Sequence, residues 1–259
     1  DENQEYVILG KGVGFGKKVS QRFDKPEECT MYRLAQETER GSAKELVKGI
    51  EPEYLEISDA ILTEAQKVFG ESIDRGILFP LADHISFAVA RIRRNEQISN
   101  PLTEDIKALF YSEFKVAETL KTILKERLQI EIDDHEVGYV ALHIHSAIGD
   151  EKVSVAMQTA RAVRECIDMI EKATGKPIDV LSLSYNRLMN HMKYMVARAS
   201  TGEKLNLDMN EYMLDQYPQA YEIAADICKN LEGGIGHKLD ETEIGYLAMH
   251  IQRVYKDAV

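Results

Sequence analysis

One stretch of this chain is written twice, and that duplication limits what it can fold into more than any other feature. Glu136–Ile144 reads EVGYVALHI, and Glu243–Ile251 reads EIGYLAMHI, a displacement of 107 residues (243 less 136). Asp83-His84 returns as Asn190-His191 at the same displacement (191 less 84). Each copy therefore holds two histidines 59 residues apart, 84 to 143 and 191 to 250. A spacing kept without insertion requires one folded unit present twice, with a histidine pair at equivalent places. The likeness runs further. Val89-Ala90-Arg91 returns as Val196-Ala197-Arg198, Phe110 and Phe114 as Tyr217 and Tyr221, Leu124 as Leu231, Asp133 as Asp240, and Gly138-Tyr139 as Gly245-Tyr246. A period of about a hundred residues means tandem domains, since solenoid repeats run to about 20–50 residues.

The residues around these matches read as helical from about Ser42 to the C-terminus. Leu46 and Ile50 are four apart, as are Ile57 and Ile61, and Pro52 is expected to divide this stretch into two short helices. Ile77–Arg94 is expected to be the helix carrying His84, with Asn100-Pro101 marking its far boundary, and Lys115–Leu128 another helix. Asp133 with Glu136, and Asp240 with Glu243, have the spacing of a capping box and launch the His143 and His250 helices. In the second copy Val153–Thr174, Leu181–Ser200 and Tyr217–Leu231 are expected helices, and Gly233, Gly234 and Gly236 a loop. The expected body is mainly α.

The first forty residues differ. Tyr6-Val7-Ile8-Leu9 is a β-type run, and Gly10, Gly12, Gly14 and Gly16 follow at alternate positions. Residues 5–23 read as short strands in a glycine-rich hairpin. They also suit a nucleic-acid surface, with Phe15 offered for stacking and lysines for phosphate. No amphipathic helix follows the glycines, so they are not a dinucleotide fingerprint. Asp24–Gly41 reads as a charged connector. Residues 1–25 carry five basic and four acidic side chains, a balance of +1, within a chain of net charge −12, so the remainder carries −13. A small basic end on an acidic body suggests two different tasks. The acidic total argues against the whole chain being a nucleic-acid binder.

At 259 residues the chain has room for two or three domains. No run of about 18 apolar residues marks a membrane span, and no signal-peptide pattern is present. The start at Asp1, a few residues before the first strand-like run, is expected to be that of a fragment. Cys29, Cys166 and Cys228 form no short pair, which suits reduced, buried thiols in a cytosol and neither a disulfide framework nor a zinc site.

A lone histidine on a helix is commonly a satisfied core residue. Repetition singles out His84, His143, His191 and His250, because His135 corresponds to Thr242, His145 to Gln252, and His237 has no histidine counterpart. Three chemistries use such pairs. Metal ligation needs further ligands. Asp83 or Glu136 would supply them in the first copy, but Asn190 replaces Asp83 in the second. General acid–base catalysis is open to a group titrating near neutrality, but it wants a substrate pocket or nucleophile motif, and the sequence offers neither. Reversible phosphorylation uses the nucleophilic ring nitrogen and adds close to two negative charges. At an interface between helical domains, such a charge separates or clamps.

With DHISFAVARI, EVGYVALHI, their copies, and GKGVGFGKK, the chain resembles transcriptional antiterminators of the BglG/SacY/LicT type over essentially its whole length. The resemblance implies two tandem helical-bundle regulatory domains, at about 42–149 and 152–259. Before them it implies a 25–41 linker and, over 1–24, the remnant of a small antiparallel-β RNA-binding domain. It implies no enzyme, cofactor or metal, and a cytoplasmic regulator acting as a homodimer on an RNA hairpin. Gly10, Lys11 and Phe15 would lie on that RNA. His84, His143, His191 and His250 would be phosphorylated by the phosphocarrier HPr and a sugar-specific enzyme II. The other readings are a DNA-binding activator with the same regulatory domains, which would need an upstream helix-turn-helix, and a metal-dependent hydrolase with histidine ligands. Arg91 and Arg198, two turns beyond His84 and His191, are read as a solvated or salt-bridged helix face that is also within reach of a phosphate.

Overall fold

The computed structural model describes residues 6–18, 21, 29–34, 49–70, 73–149, 152–175, 177–179 and 182–257. Arg22, Lys25 and the helical onset expected over 42–48 lie outside these residues.

Tyr6–Leu9 forms strand β1, but its partner is not the glycine-rich stretch. Residues 11–16 are turns, with Val13 N–H donating to the Gly10 carbonyl (3.3 Å), Phe15 to Gly12 (3.0 Å) and Lys17 to Gly14 (3.2 Å). The pairing strand is β2, Thr30–Arg33, within the stretch read as a connector. It runs antiparallel, with Tyr6 opposite Arg33 and Leu9 opposite Thr30. Tyr32 of β2 is buried because it ties the sheet to the helical part of the first unit. Its hydroxyl donates to Asp59, and Arg75 Nη2 donates to that hydroxyl (2.7 Å) and to Asp59 Oδ1 (2.6 Å). The Tyr32 ring meets Phe79 edge-on at 6.3 Å. An isolated two-stranded ribbon is marginal in water, and this anchor supplies what it lacks.

The chain divides into two compact units, residues 1–99 with 115–150, and residues 100–114 with 151–259. In the first, helix α1 (Pro52–Phe69) opens on Pro52 at its first position, where a fixed φ and a missing N–H cost nothing. Pro52 thus starts a helix here. After a 3-10 turn at Arg75–Ile77 comes α2 (Leu78–Arg93). Further along the chain come α3 (Thr103–Leu109), which belongs to the second unit, then α4 (Tyr111–Ala117), α5 (Thr119–Leu128) and α6 (Asp134–Gly149). The helix expected over 115–128 is thus two, parted at Glu118. In the first unit α1 packs on α2 and α5, and α2 on α6. Ile57, Ile61 and Leu62 of α1 meet the same core as Leu81 and Ile85 of α2 and Leu142 and Ile144 of α6, all with no exposure. Each such side chain contributes about 1.5–3 kcal/mol by leaving water.

The second unit holds α3, α7 (Val153–Thr174), α8 (Leu183–Thr201), α9 (Asn210–Gln216), α10 (Pro218–Ile235) and α11 (Thr242–Asp257). Here α7 packs on α10, α8 on α11, and α9 on both α10 and α11, while α3 lies on α7 and α8. Ile106 of α3, Ile167 and Ile170 of α7, Leu188 and Met192 of α8, and Leu247 and Ile251 of α11 are buried there. Gly233 and Gly234 lie inside α10 instead of forming a loop. The helix stops only at Gly236, whose φ of 70° suits a residue without Cβ. Among the described residues no helix is long and apolar enough to cross a membrane.

Candidate functional site: two matched histidine pairs

Helical periodicity assembles the site. On α6, Glu136, Tyr139 and His143 fall at i, i+3 and i+7 and share one face; on α2, His84 and Arg91 are seven apart and do the same. Where α2 packs on α6, these faces meet. The His84 and His143 rings lie 5.4 Å apart at 45°, and Tyr139 lies 5.7 Å from His84. Arg91 Nη2 donates to both Glu136 oxygens, at 2.8 and 3.1 Å, and His84 Nε2 lies 3.5 Å from Oε2.

The second unit repeats the set on α8 and α11. The His191 and His250 rings are 4.8 Å apart at 26°, and Tyr246 is stacked 6.2 Å from His191. Arg198 grips Glu243 with two bonds, Nε to Oε1 at 2.6 Å and Nη2 to Oε2 at 2.9 Å, while His191 Nε2 stands 3.6 Å from Oε2. The arginines are thus salt-bridged, as one of their two readings has it. The capping boxes form only by half. Asp133 Oδ1 accepts from the His135 and Glu136 N–H groups (3.0 and 3.2 Å), and Asp240 Oδ1 from Thr242 (3.1 Å), but both glutamate side chains turn to arginine.

Glu136 and Glu243 are 3% and 2% exposed, so their charge must be paired where it sits. For Glu136, burial works against the charged form; contacts from His84 and Arg91 outweigh it and hold the carboxyl below its usual range. The imidazoles of the second unit go the other way. Burial, then His250 and Arg198, lower His191 to about 3; burial, then Arg253 and Arg187, lower His250 to about 4. The carboxylate of Glu243 favours a charged His191, but at 3.6 Å it makes no real hydrogen bond and burial prevails. Both rings are neutral at pH 7. His84 Nε2, His191 Nε2 and His250 Nδ1 are buried without a hydrogen-bond partner. A neutral ring with an uncommitted nitrogen is suited to nucleophilic attack. The rings are not sealed off, since 13% of the His84 side chain and 8% of the His191 side chain meet solvent.

The four histidines singled out by repetition therefore meet as two pairs. Gly10, Lys11 and Phe15 sit on the turns after β1, all exposed, Phe15 at 90%. Among the described residues no three His, Cys, Asp or Glu side chains are grouped to hold a metal ion. In the sequence Glu243, Tyr139 and Tyr246 stand out only as repeated or capping residues, and Glu136 also as a possible metal ligand. Their signal as site members was the shared helical face with the histidines. Cys166 and Cys228 are buried and Cys29 partly so, all three as free thiols.

A duplicated helical unit with a matched imidazole pair in each copy, preceded by a small antiparallel sheet, defines a tandem-domain protein with one histidine pair per domain. A family described as "PRD domain" matches residues 59–147 and 164–254, one match in each copy. The chain is 30% identical to the "GlcA/glcB genes antiterminator" of Staphylococcus carnosus (strain TM300), over 97% of this chain and 89% of that one. It is 28% identical to "Protein GlcT" of Staphylococcus haemolyticus (strain JCSC1435), over 96% and 89%. It is 27% identical to "Transcription antiterminator LicT" of Bacillus subtilis (strain 168), over 100% and 94%. A solved structure, "Crystal structure of GlcT CAT-PRDI", aligns over 56% of this chain and 86% of its own at 27% identity and a TM-score of 0.48. The chain belongs to the PRD-containing transcriptional antiterminators of the BglG/SacY/LicT family.

Proposed function

We propose that this antiterminator binds an RNA hairpin as a homodimer through its N-terminal sheet, and that phosphorylation of His84, His143, His191 and His250 switches it. HPr and a sugar-specific enzyme II are the phosphoryl donors, and the regulatory domains span 42–149 and 152–259. One observation carries this reading: two imidazole pairs with buried ring nitrogens and partly exposed rings, each backed by the same arginine–glutamate bridge and tyrosine, recur in equivalent places of two units. Core residues repeat as well, but a structural histidine has no need of a partly exposed ring whose buried nitrogen lacks a hydrogen-bond partner. The transfer is simple in outline: a ring nitrogen forms a P–N bond as the donor's bond to phosphorus breaks. The modified ring then bears close to two negative charges beside a buried glutamate. That charge is enough, in principle, to shift a packing whose two forms differ by a few kcal/mol. The exposed Lys11 and Phe15 supply phosphate pairing and stacking for the RNA, and Gly10 lets backbone approach closely. The antiterminators among the relatives support RNA over DNA as the target. The test is transfer of radiolabelled phosphate from HPr or the enzyme II component. The chain is expected to be labelled, and a variant with all four histidines changed to alanine is not. A quadruple variant that labels like the parent would contradict the reading.

A further inference from the structure

The two histidine pairs share a geometry but not a rim. Four residues before His191 on α8 stands Arg187, and three after His250 on α11 stands Arg253. Both are exposed, and both act electrostatically on His250. Among the described residues neither is paired with a carboxylate, unlike Arg198, which is committed to Glu243. In the first unit the counterparts at the 107-residue displacement are Pro80 and Ser146, and the residue before the first histidine is Asp83 in place of Asn190. The rim of the second pair thus gains two uncommitted cations and loses one anion. What they face is a half-buried ring pair, neutral at pH 7, with the buried His250 Nδ1 lacking a partner.

We propose that Arg187 and Arg253 are phosphate-holding residues that make the second pair, and not the first, a built site for a tetrahedral dianion carried on imidazole. This rests on the phosphorylation reading above and adds residues that distinguish the two units. A phosphoryl group on the second pair brings about 1.5–2 negative charges within reach of two guanidiniums, whose forked donors match its oxygens. The same group on the first pair meets Arg91, already bridged to Glu136, and the carboxylate of Asp83. The second unit is therefore loaded more readily and keeps its phosphate longer.

The experiment uses the intact chain and phosphoramidate, a small donor that removes any contribution from protein docking. The ring nitrogen's lone pair forms the new P–N bond, the donor's P–N bond breaks, and ammonia leaves. Site-resolved mass spectrometry at alkaline pH follows loading and loss at each histidine. In the parent chain, phosphate on His191 or His250 is expected to outlast that on His84 or His143 by about tenfold or more, the worth of one charge-assisted contact. Arg187→Gln with Arg253→Gln brings the second pair down to the level of the first and leaves the first unchanged. Arg187→Lys with Arg253→Lys retains most of the difference, because charge and not packing is at work, and Ser146→Arg lengthens retention in the first unit. Unchanged retention in the double glutamine variant, with its thermal unfolding intact, overturns the assignment. A parent chain that loads no histidine from either this donor or phosphorylated HPr overturns the phosphorylation reading beneath it.

Discussion

At the level of single side chains, the arginine–glutamate bridges hold buried charge in place. Arg198→Met leaves Glu243 without its arginine partner at 2% exposure, and is expected to cost about 3–5 kcal/mol in urea unfolding of the second unit. Adding Glu243→Gln to that variant recovers most of the loss, because no orphan charge is then left. A pH dependence follows from the rings. His191 and His250 have folded-state values of about 3 and about 4, below their ordinary 6.5, so the unfolded chain binds more protons between those values. Their contribution to stability is therefore complete above about pH 6.5 and is lost as pH falls toward 4, at up to about 1.4 kcal/mol per pH unit for each ring. Urea midpoints at pH 7 and pH 5 check this, and His191→Asn flattens the slope. The histidines were legible in the sequence because they repeat. The cluster of Tyr32, Asp59 and Arg75 was not. Its members are 27, 16 and 43 residues apart, and the counterparts of Asp59 and Arg75 are Cys166 and Ser182, so neither period nor repetition could reveal it.

Among the helices and strands, one close approach fixes how α9 sits on α11. Gly245 N–H donates to Asn210 Oδ1 at 2.8 Å, and a Cβ at Gly245 would stand 2.8 Å from the Asn210 backbone nitrogen and the Met209 carbonyl carbon. Gly245→Ala must push α9 outward and is expected to destabilise the second unit by about 1–3 kcal/mol. Gly233→Ala, inside α10 with nothing within 4 Å, is instead neutral or stabilising by up to about 1 kcal/mol. Paired thermal unfolding of the two variants separates the effects. The same contrast explains which elements could be read in advance. Val153–Thr174 was legible to the residue because its apolar period is clean and Gly175 ends it. The end of α10 was misread because a glycine costs a helix only about 1 kcal/mol and burial of Ile227 and Leu231 outweighs that. Strand β2 was hidden because TMYR is short, half polar, and pairs with a strand more than twenty residues upstream.

Over the whole molecule, duplication is the organising fact, and it is not symmetric in charge or partners. Both units build the same histidine, tyrosine, glutamate and arginine set from two packed helices, so one mode of modification would serve both. The rims differ by Pro80 against Arg187, Asp83 against Asn190 and Ser146 against Arg253, so under the proposal the two units would answer that modification differently. The sheet held by Tyr32 to the first unit puts the exposed Lys11 and Phe15 turns on the same compact unit as His84 and His143. A charge placed on that first pair would therefore have a structural connection to the surface proposed to meet RNA. The most direct check is to incubate the intact chain with phosphorylated HPr, and separately with the phosphorylated enzyme II component, and to map phosphohistidine by mass spectrometry at alkaline pH. The modification is expected on His84, His143, His191 and His250, and on no other histidine. Phosphate found instead on His135, His145 or His237, or no phosphohistidine with either donor, would contradict it.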